Sequence, residues 1–260
     1  MNTKKGFILV IAEGISDQKA LEPILSFLYK PRGYRVEFLR APYNGRKTIA
    51  DITTHGNINS RIIFGRINQL LVEPWLNNNH FTPDLICKVI HIVDMDGAYI
   101  DDRCIKYDPD RIDPSNPRAE KLKYGREEIL SANVEQTKIR NAQKRNNLDW
   151  LSKNNKIHYT DKTTGEKYDL DYEIYFFSCN LDHVLHHDAN MEPRIKRPKA
   201  EEFGSRYGNN PEEFIQAISS SILKNMTYKE SWDFITERNN HSLESHTNIN
   251  ILIDGILNGG

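Results

Sequence analysis

The spacing of apolar residues changes period several times in the first hundred positions. Phe7 to Ala12 is a continuous apolar run that reads as a strand buried on both faces, and it ends at Glu13-Gly14. Ser16-Asp17-Gln18 then supplies an acidic helix start, and Ala20, Leu21, Ile24, Leu25 and Leu28 follow at helical spacing until Pro31 and Gly33. Tyr34 to Leu39 reads as a second strand. The turn-rich Ala41-Pro-Tyr-Asn-Gly45 precedes Arg46 and Lys47, and an amphipathic helix runs from Ser60 to Leu76 with Ile63, Ile67, Leu70 and Leu71 on one face. A third strand, Ile86 to Val93, leads into Asp94-Met-Asp96-Gly97. This strand, helix, strand, helix, strand order predicts right-handed crossovers and an α/β fold: a Rossmann-like, mostly parallel sheet flanked by helices.

Beyond residue 100 the pattern loosens. Residues 101–117 are rich in Asp, Pro and Asn and read as a long loop, part of an insertion around 101–132. A polar helix is expected between Asn133 and Lys153, a turn or small hairpin around Thr164-Gly165, and a strand from Tyr172 to Phe177. A short helix is expected through Val184 and Leu185. Pro193 to Arg206 is basic and proline-containing, and helices near Pro211 to Leu223 and Tyr228 to Asn239 close the chain. The expected organisation is an α/β domain over 1–190 and a helical C-terminal extension over 191–260 packed on it.

Composition narrows the classes. The 260 residues carry 35 Lys plus Arg against 36 Asp plus Glu, a net charge of −1, which excludes a simple polycation that holds nucleic acid by bulk charge. A 38% hydrophobic and 27% charged composition suits a globular protein. No apolar run approaches the roughly 20 residues of a bilayer span, so neither a transmembrane helix nor a signal peptide nor a membrane partner is expected. Cys87, Cys104 and Cys179 are widely spaced and odd in number, which fits unpaired thiols in a reducing cytoplasm.

Functional residues of parallel sheets gather at the carboxyl ends of strands, and here the first and third strands deliver Glu13 and the Asp94/Asp96 pair. Carboxylates in that position suit Mg²⁺, a hard cation that takes oxygen ligands. A DxD on an extended segment turns both side chains to one side, so Asp94 and Asp96 would share one ion or bracket two. Glu13 is a further ligand or a general acid/base, and Asp182 a candidate fourth acid.

The segments Val10-Ile-Ala-Glu13-Gly-Ile-Ser-Asp17 and Ile90-His-Ile-Val-Asp94-Met-Asp96-Gly97 resemble the two motifs of the Toprim family. This is the metal-binding module of topoisomerases, bacterial primases and overcoming-lysogenization-defect nucleases. The resemblance covers residues 6 to 100, and more loosely Tyr172 to His187. There Ser178, Asn180 and Asp182 are similar to the strand-then-acid element of standalone Toprim-like proteins from abortive-infection loci. It implies that Glu13 is the acid/base or metal-linked glutamate, that Asp94 and Asp96 are Mg²⁺ (or Mn²⁺) ligands, and that Asp17 orients neighbours. It further implies metal-dependent nuclease activity on DNA or RNA, tRNA included, in anti-phage defence. No GxxxxGK[ST] motif is present, so an ATP-driven version needs a partner ATPase. The alternative is a catalytically inactive regulatory protein of the same fold working with such a partner, and self-association is compatible with either.

Other residues are weaker candidates. His183, His186 and His187 lie at helical spacing suited to one metal or, for His183, to a phosphate contact. Nine Lys or Arg stand against four acids from Lys121 to Lys156. Arg140, Lys144 and Arg145 fall near one helical face there, and Arg194, Lys196, Arg197 and Lys199 form a second basic run. With Arg46 and Lys47 these are the candidate contacts to a nucleic-acid backbone.

Overall fold

The computed structural model describes residues 6–39, 51–54, 56, 58–113, 116–219, 222–237 and 239–259, with only the backbone of 113, 116–120 and 240. Arg46 and Lys47 lie outside the described residues. The apolar run becomes β1 (Phe7–Ile11), buried at every position. It is followed by α1 (Ile15–Tyr29), β2 (Arg35–Leu39) and a helical stretch of α2 (Ile63–Ile67), one π turn (Asn68–Val72) and α3 (Glu73–Asn79). Pro74 has no N–H to give the preceding turn, which accounts for the local widening. Next come β3 (Ile86–Asp94) and the 101–132 region. That region carries β4 (Ile105–Tyr107), β5 (Ile112–Asp113), β6 (Asn116–Glu120), β7 (Lys123–Tyr124) and β8 (Ile129–Ser131). A long loop is expected over 101–117, yet β4, β5 and the start of β6 form there, and with β7 and β8 the region makes a three-stranded and a two-stranded sheet. Ile100, Ile105, Ile129 and Leu243 form a small core of their own there.

The chain continues with α4 (Val134–Leu151), β9 (Lys156–Thr160), β10 (Lys167–Phe177), α5 (Leu181–His186), α6 (Pro193–Tyr207), α7 (Pro211–Ile218), α8 (Tyr228–Thr236) and α9 (Ile249–Leu257). The main sheet has the order β2-β1-β3-β10-β9. Its first four strands are parallel and β9 runs antiparallel to β10. The fold is therefore α/β with a mixed, mostly parallel sheet. β10 is longer than the strand expected from Tyr172, because its first half alternates exposed and buried residues as the second arm of a hairpin with β9.

Alternation along the strands divides the core. Phe7, Leu9, Ile11, Val89, Val93, Ile174 and Phe176 meet α2, α3 and the apolar residues of α4 and α8 on one face. Ile8, Val10, Ile90, Ile92, Tyr175 and Phe177 meet α1, α6, α7 and α9 on the other. α6 approaches α1 so closely that a Cβ on Gly204 would collide with the Lys19 carbonyl. Helix α9, absent from the sequence-based expectation, is held by its own apolar residues Ile249, Leu252, Ile253 and Ile256. Among the described residues no helix is long and apolar enough to cross a membrane.

Candidate metal centre at the carboxyl edge of the sheet

Glu13 sits in the junction between β1 and α1. Gly14 is the extended cap residue of α1, and its N–H donates to the Asp17 carboxylate at 2.6 Å, which closes the turn and fixes the preceding residue. The Glu13 Oε1 accepts the Asp94 N–H at 3.1 Å, tying the ends of neighbouring strands. After β3 the chain stays beside β10: Met95 N–H donates to the Phe177 carbonyl at 2.9 Å and Asp96 N–H to the Cys179 carbonyl at 2.7 Å.

Asp94 and Asp96 do not share a side. Asp96 has φ 50° and Gly97 φ 65°, so the strand alternation that would align them ends at Asp94. The Asp94 Oδ1 accepts the Leu181 N–H at 2.9 Å in the first turn of α5. Asp96 instead receives the Lys144 Nζ at 2.7 Å and the Tyr124 hydroxyl at 3.0 Å.

Lys144, from α4, is fully buried, and its ammonium group collects three carboxylates: Asp96 at 2.7 Å, Asp51 at 2.9 Å and Glu13 at 3.6 Å. Oxygens of Glu13, Asp51 and Asp96 all lie within 4.8 Å of one another. Asp51 is the member sequence reasoning missed. It precedes Thr53 and Thr54, whose hydroxyls donate to it at 2.5 and 2.8 Å, and the Thr53 N–H adds a third bond at 2.8 Å. That self-closing Asp-x-Thr-Thr turn is visible in the sequence, but nothing in its spacing connects it to Glu13 or Asp96.

α4 explains how a polar helix becomes central. Asn147 donates to the carbonyls of Thr53 at 2.7 Å and Ile58 at 3.0 Å, holding the Asp51 segment. Arg145 donates to the Ala98 carbonyl at 2.7 Å, and Arg140 donates to Asn141 at 2.9 Å near the Asp96 carbonyl. The basic face expected to meet a nucleic-acid backbone is thus partly internal: Lys144 and Arg145 are buried, and Arg140 is half-buried at the acidic group.

Burial and the neighbouring Asp51 push Glu13 well above the ordinary carboxylate range, and burial with Asp17 does the same for Asp94. Asp51 goes the other way: against its burial, Lys144 and the threonine hydrogen bonds hold it at about 2. Although burial opposes its charge, Lys144 is held protonated by Asp51, Asp96 and Glu13. Glu13 and Asp94 therefore hold a proton more readily than ordinary carboxylates, and a divalent cation would oppose that.

Asp182 is buried beside these residues and pairs with Lys196 at 2.5 Å; its other carboxylate oxygen has no hydrogen-bond partner among the described residues. Asp17 lies within its field and is raised to about 6, chiefly by burial. A cleft of about 880 Å³ opens on Asp94 and Asp96 and is lined also by Arg111, Lys123, Arg194 and Lys196. Arg197 is turned to Glu201 at 3.0 Å. His183 lines a different cleft, with Tyr124 and Glu244. Comparison with protein-family models, with curated proteins and with solved structures gives no match, so the chemistry of the site must be read from its geometry.

Proposed function

We propose that this chain is a Mg²⁺- or Mn²⁺-dependent, Toprim-like nuclease that cleaves phosphodiester bonds of nucleic acid, and by the same likeness serves in defence against phage. The observation that carries the reading is the convergence of Glu13, Asp51 and Asp96, from three separate connections, at the carboxyl edge of the parallel strands. Three hard oxygen donors fit Mg²⁺ or Mn²⁺, with Asp94 adjoining. The bound ion would supply positive charge at a phosphoryl oxygen. Glu13, with its raised affinity for a proton, can hold or accept one next to the reacting phosphate. Lys144 keeps the carboxylates gathered, Tyr124 and Arg140 orient Asp96, and the basic residues of the adjoining cleft neutralise backbone phosphates.

The test is incubation of the purified chain with plasmid, single-stranded DNA, RNA and tRNA in Mg²⁺ or Mn²⁺. Cleavage that falls by about 100-fold or more in Asp96→Asn and Glu13→Gln is expected. Cleavage unaltered by both removes these residues from the chemistry.

One observation favours a second reading, an inactive regulatory protein that works with a partner ATPase. The Lys144 ammonium already compensates the carboxylates, so the cluster is stable as an internal ion pair. A chain without Mg²⁺ or Mn²⁺ affinity that forms a stable complex with an ATPase would follow that reading.

A further inference from the structure

A second cluster, independent of the acidic one, lies in the connection between α8 and α9. His241 Nδ1 is 2.9 Å from the Glu244 Oε2, and His246 Nε2 is 2.8 Å from the same oxygen. We propose that His241, Glu244 and His246 form a binding site for a zinc-class transition-metal ion within the connection that packs on the loop after β10.

Two imidazole nitrogens and one carboxylate oxygen are the donor set of such ions, whereas Mg²⁺ takes oxygen. With metal–ligand bonds of about 2.0–2.1 Å, tetrahedral ligand atoms stand roughly 3.3 Å apart, so the observed spacings need open by only about half an ångström. The ligands are held in advance. The Asn239 side chain accepts the His241 N–H at 3.0 Å, and Phe234 stacks on the His241 ring at 3.9 Å with an interplanar angle of 21°. Phe234 meets the His246 ring edge-on at 5.5 Å. His246 N–H donates to Ser178 Oγ at 2.7 Å, and Ser178 N–H returns a bond to the His246 carbonyl at 2.8 Å.

Access and a fourth position are also present. Glu244 and Ser245 line a cleft of about 520 Å³ that His183 and His187 share. His183 stands outside the 4.8 Å group of His241, Glu244 and His246, so water from this cleft is what completes the coordination.

The site reaches the acidic centre through two backbone hydrogen bonds. Ser242 accepts the Cys179 N–H at 2.7 Å, and the Cys179 carbonyl accepts the Asp96 N–H at 2.7 Å. An ion at His241, Glu244 and His246 would stiffen the loop that sets Asp96.

The experiment is competition between metal-stripped full-length protein and a chromophoric chelator for Zn²⁺, with Co²⁺ absorption as a second readout. Wild type is expected to take one equivalent that excess Mg²⁺ and Asp96→Asn leave in place. His241→Ala and Glu244→Gln should each weaken it by about 100-fold and remove the Co²⁺ bands. His241 is partly exposed and Glu244→Gln keeps a hydrogen-bonding amide, so both variants should fold, as circular dichroism would verify. Zinc affinity within twofold of wild type in both variants overturns the proposal, as does loss of the zinc equivalent in Asp96→Asn alone.

Discussion

Lys144 is the residue on which the acidic centre turns. Its charge is enclosed by Glu13, Asp51 and Asp96, and removing one partner of such a group leaves buried charges uncompensated. Lys144→Met should destabilise the metal-free chain by about 3–5 kcal/mol, and Mg²⁺ should raise its melting temperature more than it raises that of wild type. Denaturant titration with and without Mg²⁺ checks both; equal Mg²⁺ shifts would mean that the lysine and the cation do not compete for the same oxygens. His91 supplies a pH test beside this group, whose Asp51 and Lys144 act on it in opposite senses. It is buried in β3, bonded to the Tyr172 hydroxyl at 2.8 Å, and burial holds it at about 4. The unfolded chain binds this proton below about 6.5 and the folded chain does not, so His91 lowers stability by about 3 kcal/mol as pH falls from 6.5 to 4. Asp17, raised to about 6, acts in the opposite sense over much of that window, so the effect is read as a difference. His91→Leu should lose less stability than wild type between those pH values; parallel losses would contradict it. At this scale Glu13, Asp94 and Asp96 were legible because each follows an apolar run, whereas Lys144 was legible only as one more cation. Its partners are distant in sequence, and only the fold brings them to it.

At the scale of elements, the parallel strands and α1 follow from continuous and 3.6-period apolar patterns, and the structure reproduces them. α4 shows why such patterns mislead. Its polar residues suggest a solvated face, yet Asn141, Lys144, Arg145 and Asn147 are buried, since that face bonds to the backbone of loops rather than to water. Hydrophobic periodicity reports apolar burial alone, so although the helix itself was expected, its docking through hydrogen bonds is invisible to that pattern. The short strands between 105 and 131 escape for another reason, being two to five residues long and rich in charge. The α1–α6 contact gives the element-scale prediction. Gly204 lets the two helices touch, so Gly204→Val should force them apart and cost about 1–3 kcal/mol in a denaturant melt. A variant as stable as wild type would show that α6 can shift along α1 without loss.

For the whole molecule, a net charge of −1 conceals a division: carboxylates gather at one edge of the sheet, and basic side chains line the cleft that opens on Asp94 and Asp96. Both the mixed sheet and the polar helix that closes on it serve that edge, because α4 brings Lys144 and pins the Asp51 segment at once. Asp51 is therefore the sharpest probe of the proposed metal centre, being a carboxylate that the fold adds to those visible in sequence. The most direct measurement is calorimetric titration of Mn²⁺ into wild type and Asp51→Asn in two buffers of different ionisation enthalpy. Mn²⁺ is expected to bind wild type, with any protons it displaces drawn from Glu13 and Asp94, whose proton affinities are raised, and affinity should weaken at least about tenfold in Asp51→Asn. Binding that is absent in wild type, or equally strong in the variant, would contradict a metal centre at these carboxylates.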